Sequence, residues 1–434
     1  MIMRSIFIFL LLISPFLTWS QSGEKFLNVQ IDIEEGKGYA PCEPSIAIHP
    51  KNPKKIMAAA ILDKVYTSED SGYTWLIENL ESSLGVFGDP CLVTNSKGHF
   101  YYFHLSNPAG LGWSDESLLD RIVCQRSKNM KKWTDGAGIG LNGSKDQDKE
   151  WAVTNPKNDD VYVTWTQFDK YNSSAEGDST VILFAKSNKC AKEFSVPVRI
   201  SQIAGNCLDD DETTEGAVPA VGPNGEIYVA WAVNENIYFD KSFEEGLTWL
   251  DKDILAGKIT GGWAQEIPGI NRCNGMPVIK VDLSGGENHG RIFVNWSDQK
   301  NGVNDTDIWM IYSDDQGETW SLPVKVNQDN SKRHQFFTWF DIDQSDGNIY
   351  VVYYDRRNTE GNATDVYLSV SSNGGLNFTD YKISDSSFTP DPKVFFGDYN
   401  NISASEGHIR PIWTRYENNK LSIWTAIITA AELD

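Results

Sequence analysis

Polar and apolar residues alternate with period two in short runs along this chain, and the runs come in pairs. Seven times a polar or apolar lead residue is followed by a Pro or an aromatic, a short apolar run, a tight turn and a second, aromatic-rich run. The segments are EPSIAIHPKNPKKIMAAA from Glu43, DPCLVTNSKGHFYYFH from Asp89, EWAVTNPKNDDVYVTW from Glu150 and VPAVGPNGEIYVAW from Val218. They continue with MPVIKVDLSGGENHGRIFVNW from Met276, TWFDIDQSDGNIYVVYYD from Thr338 and DYNNISASEGHIRPIW from Asp398. Alternation around turns rich in Asn, Gly and Asp predicts a β-hairpin in each. The equivalent positions, Pro44, Pro90, Trp151, Pro219, Pro277, Trp339 and Tyr399, recur roughly every 45–70 residues. No such hairpin buries its apolar face alone; strand-only repeats of this length do so by stacking sheet on sheet around an axis. The pattern predicts an all-β, seven-bladed β-propeller of four-stranded blades, with six blades and one displaced repeat as the alternative.

Third and fourth strands follow in most repeats, the fourth reading PVRIS at Pro197, PVKVN at Pro323 and DYKIS at Asp380. The seventh repeat ends near Ile428 without a fourth strand, whereas FLNVQIDI from Phe26 to Ile33 has no blade ahead of it. The N-terminal strand is therefore expected to complete the last blade, which also removes two exposed sheet edges.

A second motif falls in phase with the first. Ser68 to Trp75 and Ser313 to Trp320 both read S-x-D-x-G-x-T-W. Ser242 to Trp249 carries Glu244 for the Asp, Ser371 to Phe378 carries Asn373, Ser127 to Trp133 is one residue short, and Ser187 to Phe194 keeps only the ends. Ser and Asp cap local N–H groups, Gly takes a left-handed dihedral and the aromatic docks into the blade. Here the chain resembles the BNR or Asp-box family of sialidase-like propellers, over nearly all of its length beyond the first twenty residues. The resemblance implies a secreted, glycosyl hydrolase-type propeller acting on carbohydrate. Sialidases have six blades, an arginine triad, a Tyr nucleophile activated by Glu, and an Asp acid/base. Their first arginine sits in a Phe-Arg-Ile-Pro segment on the first inner strand. This chain has Pro41-Cys42-Glu43-Pro44 there and no arginine within an inner strand, and no motif marks Tyr354 or Tyr399 as a nucleophile. The resemblance carries the fold rather than the sialidase reaction.

Arg4, the apolar stretch Ile6 to Ile13 and Thr18-Trp19-Ser20 read as a signal peptide over 1–20, leaving a single domain over 21–434 outside the cytoplasm. With 38 Lys and Arg against 60 Asp and Glu, net −22, the chain lacks the basic footprint of a nucleic-acid binder. No later stretch approaches a membrane helix, and a monomer is expected. Six scattered cysteines show no CxxC spacing. Cys207 and Cys273, each ahead of an inner strand, are the expected disulfide.

In a propeller the inner strands of all blades start around one mouth. The residues one before the aligned positions include Glu43, Asp89, Glu150 and Asp398, on consecutive blades, while Val218, Met276 and Thr338 make the other flank uncharged. Crowded carboxylates raise at least one pKa and so create a general acid. Inter-blade loops add Arg272 and Arg333, and second-strand ends add Asp355, Arg356, Arg357 and Arg415. Arginine forks recognise carboxylate or sulfate. This reading makes Glu150, Asp398, Asp89 and Glu43 catalytic, the arginines and Asp355 substrate-binding, and the substrate an anionic glycan or polysaccharide cleaved without a cofactor. Other roles stay open. The acids hydrogen-bond strand N–H groups or hold structural calcium or water, the Asp355–Arg pair braces a loop, and the recurring Trp165, Trp231, Trp296 and Trp413 pack between blades rather than against sugar. A propeller that binds glycan or protein without chemistry, or serves as an assembly factor, is the alternative function.

Overall fold

The computed structural model describes residues 25–34 and 40–433, so the expected export segment lies outside the described residues. Seven four-stranded antiparallel sheets follow one another, each built from the axis outward. Their inner strands are Ser45–Ile48, Cys91–Thr94, Asp146–Thr154, Glu215–Val221, Val278–Val281, Gln335–Ile342 and Asn401–Ser405, and we number the blades one to seven in that order. The count is seven. Blade seven takes its outermost strand from the other end of the chain: Leu27–Ile33 pairs antiparallel with Lys420–Thr429, Leu27 opposite Ile427 and Ile33 opposite Ser422. The Asn28 amide donates to the Ile383 carbonyl of blade six (2.8 Å) and the Tyr66 hydroxyl of blade one to Asp32 (2.8 Å), so the seam is tied on both sides.

Alternation along the strands sends aromatic side chains into the gaps between blades. Trp165, Trp231, Trp296 and Trp413, one per blade, are fully buried there. Each removes a large apolar surface from water that no single sheet could cover.

Strand direction sorts the loops onto two faces. One carries the inner hairpin turns and the S-x-D-x-G-x-T-W segments. The Ser68 hydroxyl accepts the Gly72 N–H (2.8 Å) and donates to Asp70 (2.9 Å), and Asp70 accepts the Thr74 N–H (2.9 Å) and hydroxyl (2.6 Å). Gly317 shows why the motif keeps glycine: its φ is +85°, and a Cβ would fall 2.3 Å from the Phe239 ring.

The opposite face carries the inner-strand entries and the loops between second and third strands. Several entries share a distortion. The pairing of blades three, four and six slips between Asp148 and Trp151, Glu215 and Val218, and Phe336 and Trp339. At these entries Lys149, Gly216 and Phe337 adopt left-handed φ, as do Glu43, Asp89 and Gly397 in blades one, two and seven. Such bulges add a residue and re-aim its neighbours. Just inside, Trp151, Trp339 and Tyr399 meet on the axis, with ring centroids 4.3 Å apart for the two tryptophans and 5.0 Å for Trp151 and Tyr399. They part a cavity of about 450 Å³ on the turn side from a pocket of about 30 Å³ at the mouth.

No disulfide joins Cys207 to Cys273, contrary to the expectation from sequence. Cys273 is buried in a short ribbon opposite Gln265, and Cys207 bridges to Ser173 in a different loop. Among the described residues no helix is long and apolar enough to cross a membrane.

Candidate functional site

Three consecutive charged residues, Asp148, Lys149 and Glu150, enter the mouth from blade three, and all are buried. In an even strand they would alternate between faces; the bulge after Asp148 lets the run turn into the mouth. By backbone conformation Lys149, rather than Glu150, is the counterpart of Glu43 and Asp89, all three being left-handed. Non-glycine residues seldom adopt that conformation, and here each is an ionisable residue.

Asp398 is the hub. Its carboxylate receives Lys149 Nζ at 2.5 Å and both Nε (2.9 Å) and Nη2 of Arg272, while its backbone N–H donates to the Glu43 carboxyl (3.0 Å) and its carbonyl accepts the Asn274 amide (2.8 Å). Arg272 continues through Nη1 to Asp209 (2.5 Å), which also accepts the Tyr171 hydroxyl (2.8 Å). Asp89 lies 3.8 Å from Lys149. The Arg272 guanidinium sits over the Phe395 ring, 5.6 Å from its centroid.

Burial alone would raise the pKa of Asp398, which is 2 % exposed, but Arg272 and Lys149 outweigh it and hold the carboxyl down at about 2. Glu150 goes the other way. It is 1 % exposed, neither oxygen has a hydrogen-bond partner among the described residues, and burial, reinforced by the Asp89 charge, pushes it well above the usual carboxylate range. Burial and the charges of Asp89 and Asp398 also raise Glu43; burial and Asp89 take Asp148 to about 8. Glu215, fully buried, is raised by burial and by the Asp209 charge. One mouth thus holds a carboxyl kept charged, Asp398, beside carboxyls pushed towards the neutral form, the arrangement that separates acid from base roles.

The structure brings Glu43, Asp89, Glu150, Asp398 and Arg272 together. The other sequence candidates serve elsewhere. Arg356 is buried, donating to Thr364 (3.1 Å) and the Pro268 carbonyl (2.6 Å). Arg357 joins Asp355 (2.8 Å) to Asp380 (2.5 Å) over the Tyr367 ring. Arg415 holds Asp385 and Ser386, both at 2.7 Å, over the Trp424 ring. Arg333 is half-buried and donates to the Gly361 carbonyl (2.6 Å). These planar forks brace long loops, as the Asp355–Arg pair was also read to do.

Sequence reasoning missed Lys149, Asp148, Asp209, Glu215 and Tyr171, and Glu215 adds a carboxyl to a flank expected to have none. A signal existed for some: the polar run from Asp146 to Glu150 is unusual at the start of a buried strand, and Glu215-Gly216 precedes another. Among the described residues no three His, Cys, Asp or Glu side chains converge as metal ligands. The positive charges between these acids are Lys149 and Arg272.

No family model matches the chain, and no curated protein matches it. Solved structures do. An ulvan lyase of a polysaccharide lyase family is similar at 14 % identity, covering 93 % of this chain and 96 % of its own, with a TM-score of 0.55. A sialidase from Streptococcus pneumoniae is similar at 12 % identity, covering 88 % of this chain and 82 % of its own, with a TM-score of 0.50. A protein of unknown function from Dyadobacter fermentans aligns at 11 % identity over 78 % of this chain and 93 % of its own, with a TM-score of 0.51. At such identities the likeness is one of fold.

Proposed function

We propose that the chain is an exported Asp-box propeller, a monomer that acts on glycans at the axial mouth and cleaves glycosidic bonds with carboxyl groups. The observation that carries this is the split between Asp398, kept ionised by Arg272 and Lys149, and Glu150, kept neutral by burial. A protonated carboxyl can give its proton to a leaving glycosidic oxygen, and a fixed negative charge favours the cationic transition state. Asp89, whose side chain is 13 % exposed, is the acid of this group nearest solvent. The similar folds of an ulvan lyase and a sialidase are in keeping with a glycan as ligand. For an anionic glycan the mouth offers Arg272, whose fork is itself paired with Asp398 and Asp209, while Arg356, Arg357 and Arg415 are committed to braces.

A glycan-binding propeller without chemistry is the second reading, favoured by the burial of Glu150 and Asp398 beneath a pocket of only about 30 Å³. Incubating the purified protein with neutral and anionic polysaccharides separates the two readings. New reducing ends mark hydrolysis and ultraviolet absorbance marks elimination. Silence across the panel together with measurable binding would replace the enzyme by the binder.

A further inference from the structure

Among the described tryptophans, Trp113 is the one that stands in solvent, 69 % exposed. It lies in the turn Gly112–Ser114, in the loop from Leu105 to Ile122 that joins the second and third strands of blade two, on the same face as the mouth. The ring is held rather than loose. Phe87 meets it edge-on with centroids 6.0 Å apart at 84°, and Tyr171 lies 5.6 Å away at 34°. The loop fixes its own backbone: Asn107 accepts the Gly112 N–H (3.2 Å) and donates its N–H to the Leu84 carbonyl (2.9 Å), and Asp115 accepts the Ser117 N–H (2.8 Å).

Two facts narrow what this ring is for. Leu111, two residues before it, is also exposed, but Ser114, Asp115, Glu116 and Ser117 follow, so this small apolar surface is edged by polar groups. Tyr171 then ties the plate to the mouth, because its hydroxyl donates to Asp209, Asp209 pairs with Arg272, and Arg272 holds Asp398. Contacts run unbroken from the exposed indole to the buried hub.

We propose that Trp113 is a sugar-stacking platform. The apolar C–H face of one ring of a glycan lies on the indole, while hydroxyls of the next reach the Asp209–Arg272 side of the mouth. This rests on the reading of the mouth as a glycan site and adds the ligand class, an oligo- or polysaccharide long enough to engage both places rather than a single sugar. An aromatic with an apolar face and a polar N–H suits such a ligand, and rigidity spares the ordering cost on binding.

Affinity electrophoresis tests the idea in gels carrying ulvan, arabinan, xylan or hydroxyethyl cellulose, with the wild type, Trp113→Ala, Trp113→Phe and Glu150→Gln. The wild type and Glu150→Gln are expected to be retarded by at least one polysaccharide. Trp113→Ala should bind it about tenfold or more weakly, with Trp113→Phe in between and thermal midpoints unchanged. The retarding polysaccharide should also protect Trp113 from N-bromosuccinimide, which reaches the exposed indole first. Retardation of Trp113→Ala equal to the wild type, or absence of protection, overturns the platform and leaves the mouth reading standing. A wild type that none of the four gels retards and that cleaves none of these polysaccharides overturns both.

Discussion

Asp315 and Asp398 sit at opposite ends of the propeller and share a pKa of about 2 for unlike reasons. Asp315 stands in water within a turn, where the Thr319 hydroxyl and N–H and the Ser313 hydroxyl donate to it. Asp398 is buried, which works against its charge, and only Arg272 and Lys149 overcome that. The first arrangement closes within four residues of Asp315; the second joins residues 126 and 249 apart in the chain. A low pKa alone therefore does not mark a site. Charge held against desolvation, beside carboxyls that have yielded to it, is what distinguishes the mouth from the turn.

The sharpest way to test that distinction is Glu150→Gln. If Glu150 donates a proton, the variant should lose roughly 10²–10⁴-fold in kcat/KM on whichever polysaccharide the wild type cleaves. Its thermal midpoint should hardly move at neutral pH, because the amide mimics the neutral acid that burial already imposes. Asp315→Asn should leave kcat/KM untouched. Equal rates for Glu150→Gln and wild type would end the comparison as a functional one.

Next in size is Lys149→Met. It leaves Asp398 with Arg272 alone and Asp89 without its nearest cation, both carboxylates being largely out of water. Breaking a buried pair in this way costs about 3–5 kcal/mol, to be read from urea unfolding midpoints. A loss no larger than that of an exposed ion pair such as Lys131–Glu69 would mean water reaches the mouth freely.

The contrast also explains what the sequence disclosed. The S-x-D-x-G-x-T-W turns make their bonds within one local segment, so their spacing alone announces them. The hairpins and the seam strand Leu27–Ile33 were legible too, because period-two burial and a missing fourth strand leave traces in the order of residues. The mouth was legible only where residues share a position relative to the repeat, as Glu43 and Asp89 do. In blade three the bulge shifts the frame by one, so Lys149 occupied the place assigned to Glu150. Asp209 and Tyr171 arrive from loops of unrelated length, and nothing in their spacing relates them to Arg272. The same holds for Trp113, while the tryptophans that do recur in phase went to the core.

The pH dependence of stability carries both signs at once. Asp398 is lowered from 3.8 to about 2, so its contribution is present above about pH 4 and drains away as pH falls towards 2. Asp148 is raised from 3.8 to about 8, so its contribution is present below about pH 4 and is lost as pH rises to 8; Glu43, Glu150 and Glu215 act in the same direction from 4.5. Chemical denaturation should therefore place maximum stability just below pH 4, with an acid limb of order 2 kcal/mol for Asp398. Asp398→Asn should flatten the acid limb and Asp148→Asn part of the alkaline one. A wild-type curve flat between pH 5 and 8 would show that the raised carboxyls are not neutral in the folded protein.

The smallest effect belongs to Asp315→Asn, and the chain already contains its control. In blade six Asn373 occupies the equivalent place, still accepting the Ser371 hydroxyl (2.9 Å) and the Asn377 N–H (3.3 Å), while the Gly375 N–H still reaches Ser371 (3.0 Å). An amide oxygen thus meets the geometric demands of the turn, and only the charge and the short bond from the Thr319 hydroxyl (2.6 Å) are given up. The thermal midpoint should fall by less than about 2 °C. Asp70→Asn should match it, since the two full turns have the same bond lengths from Thr74 and Thr319 to their aspartates. A drop as large as that of Lys149→Met would show that the charge, and not the hydrogen-bonded shape, keeps the turn, and the contrast between the two faces would disappear.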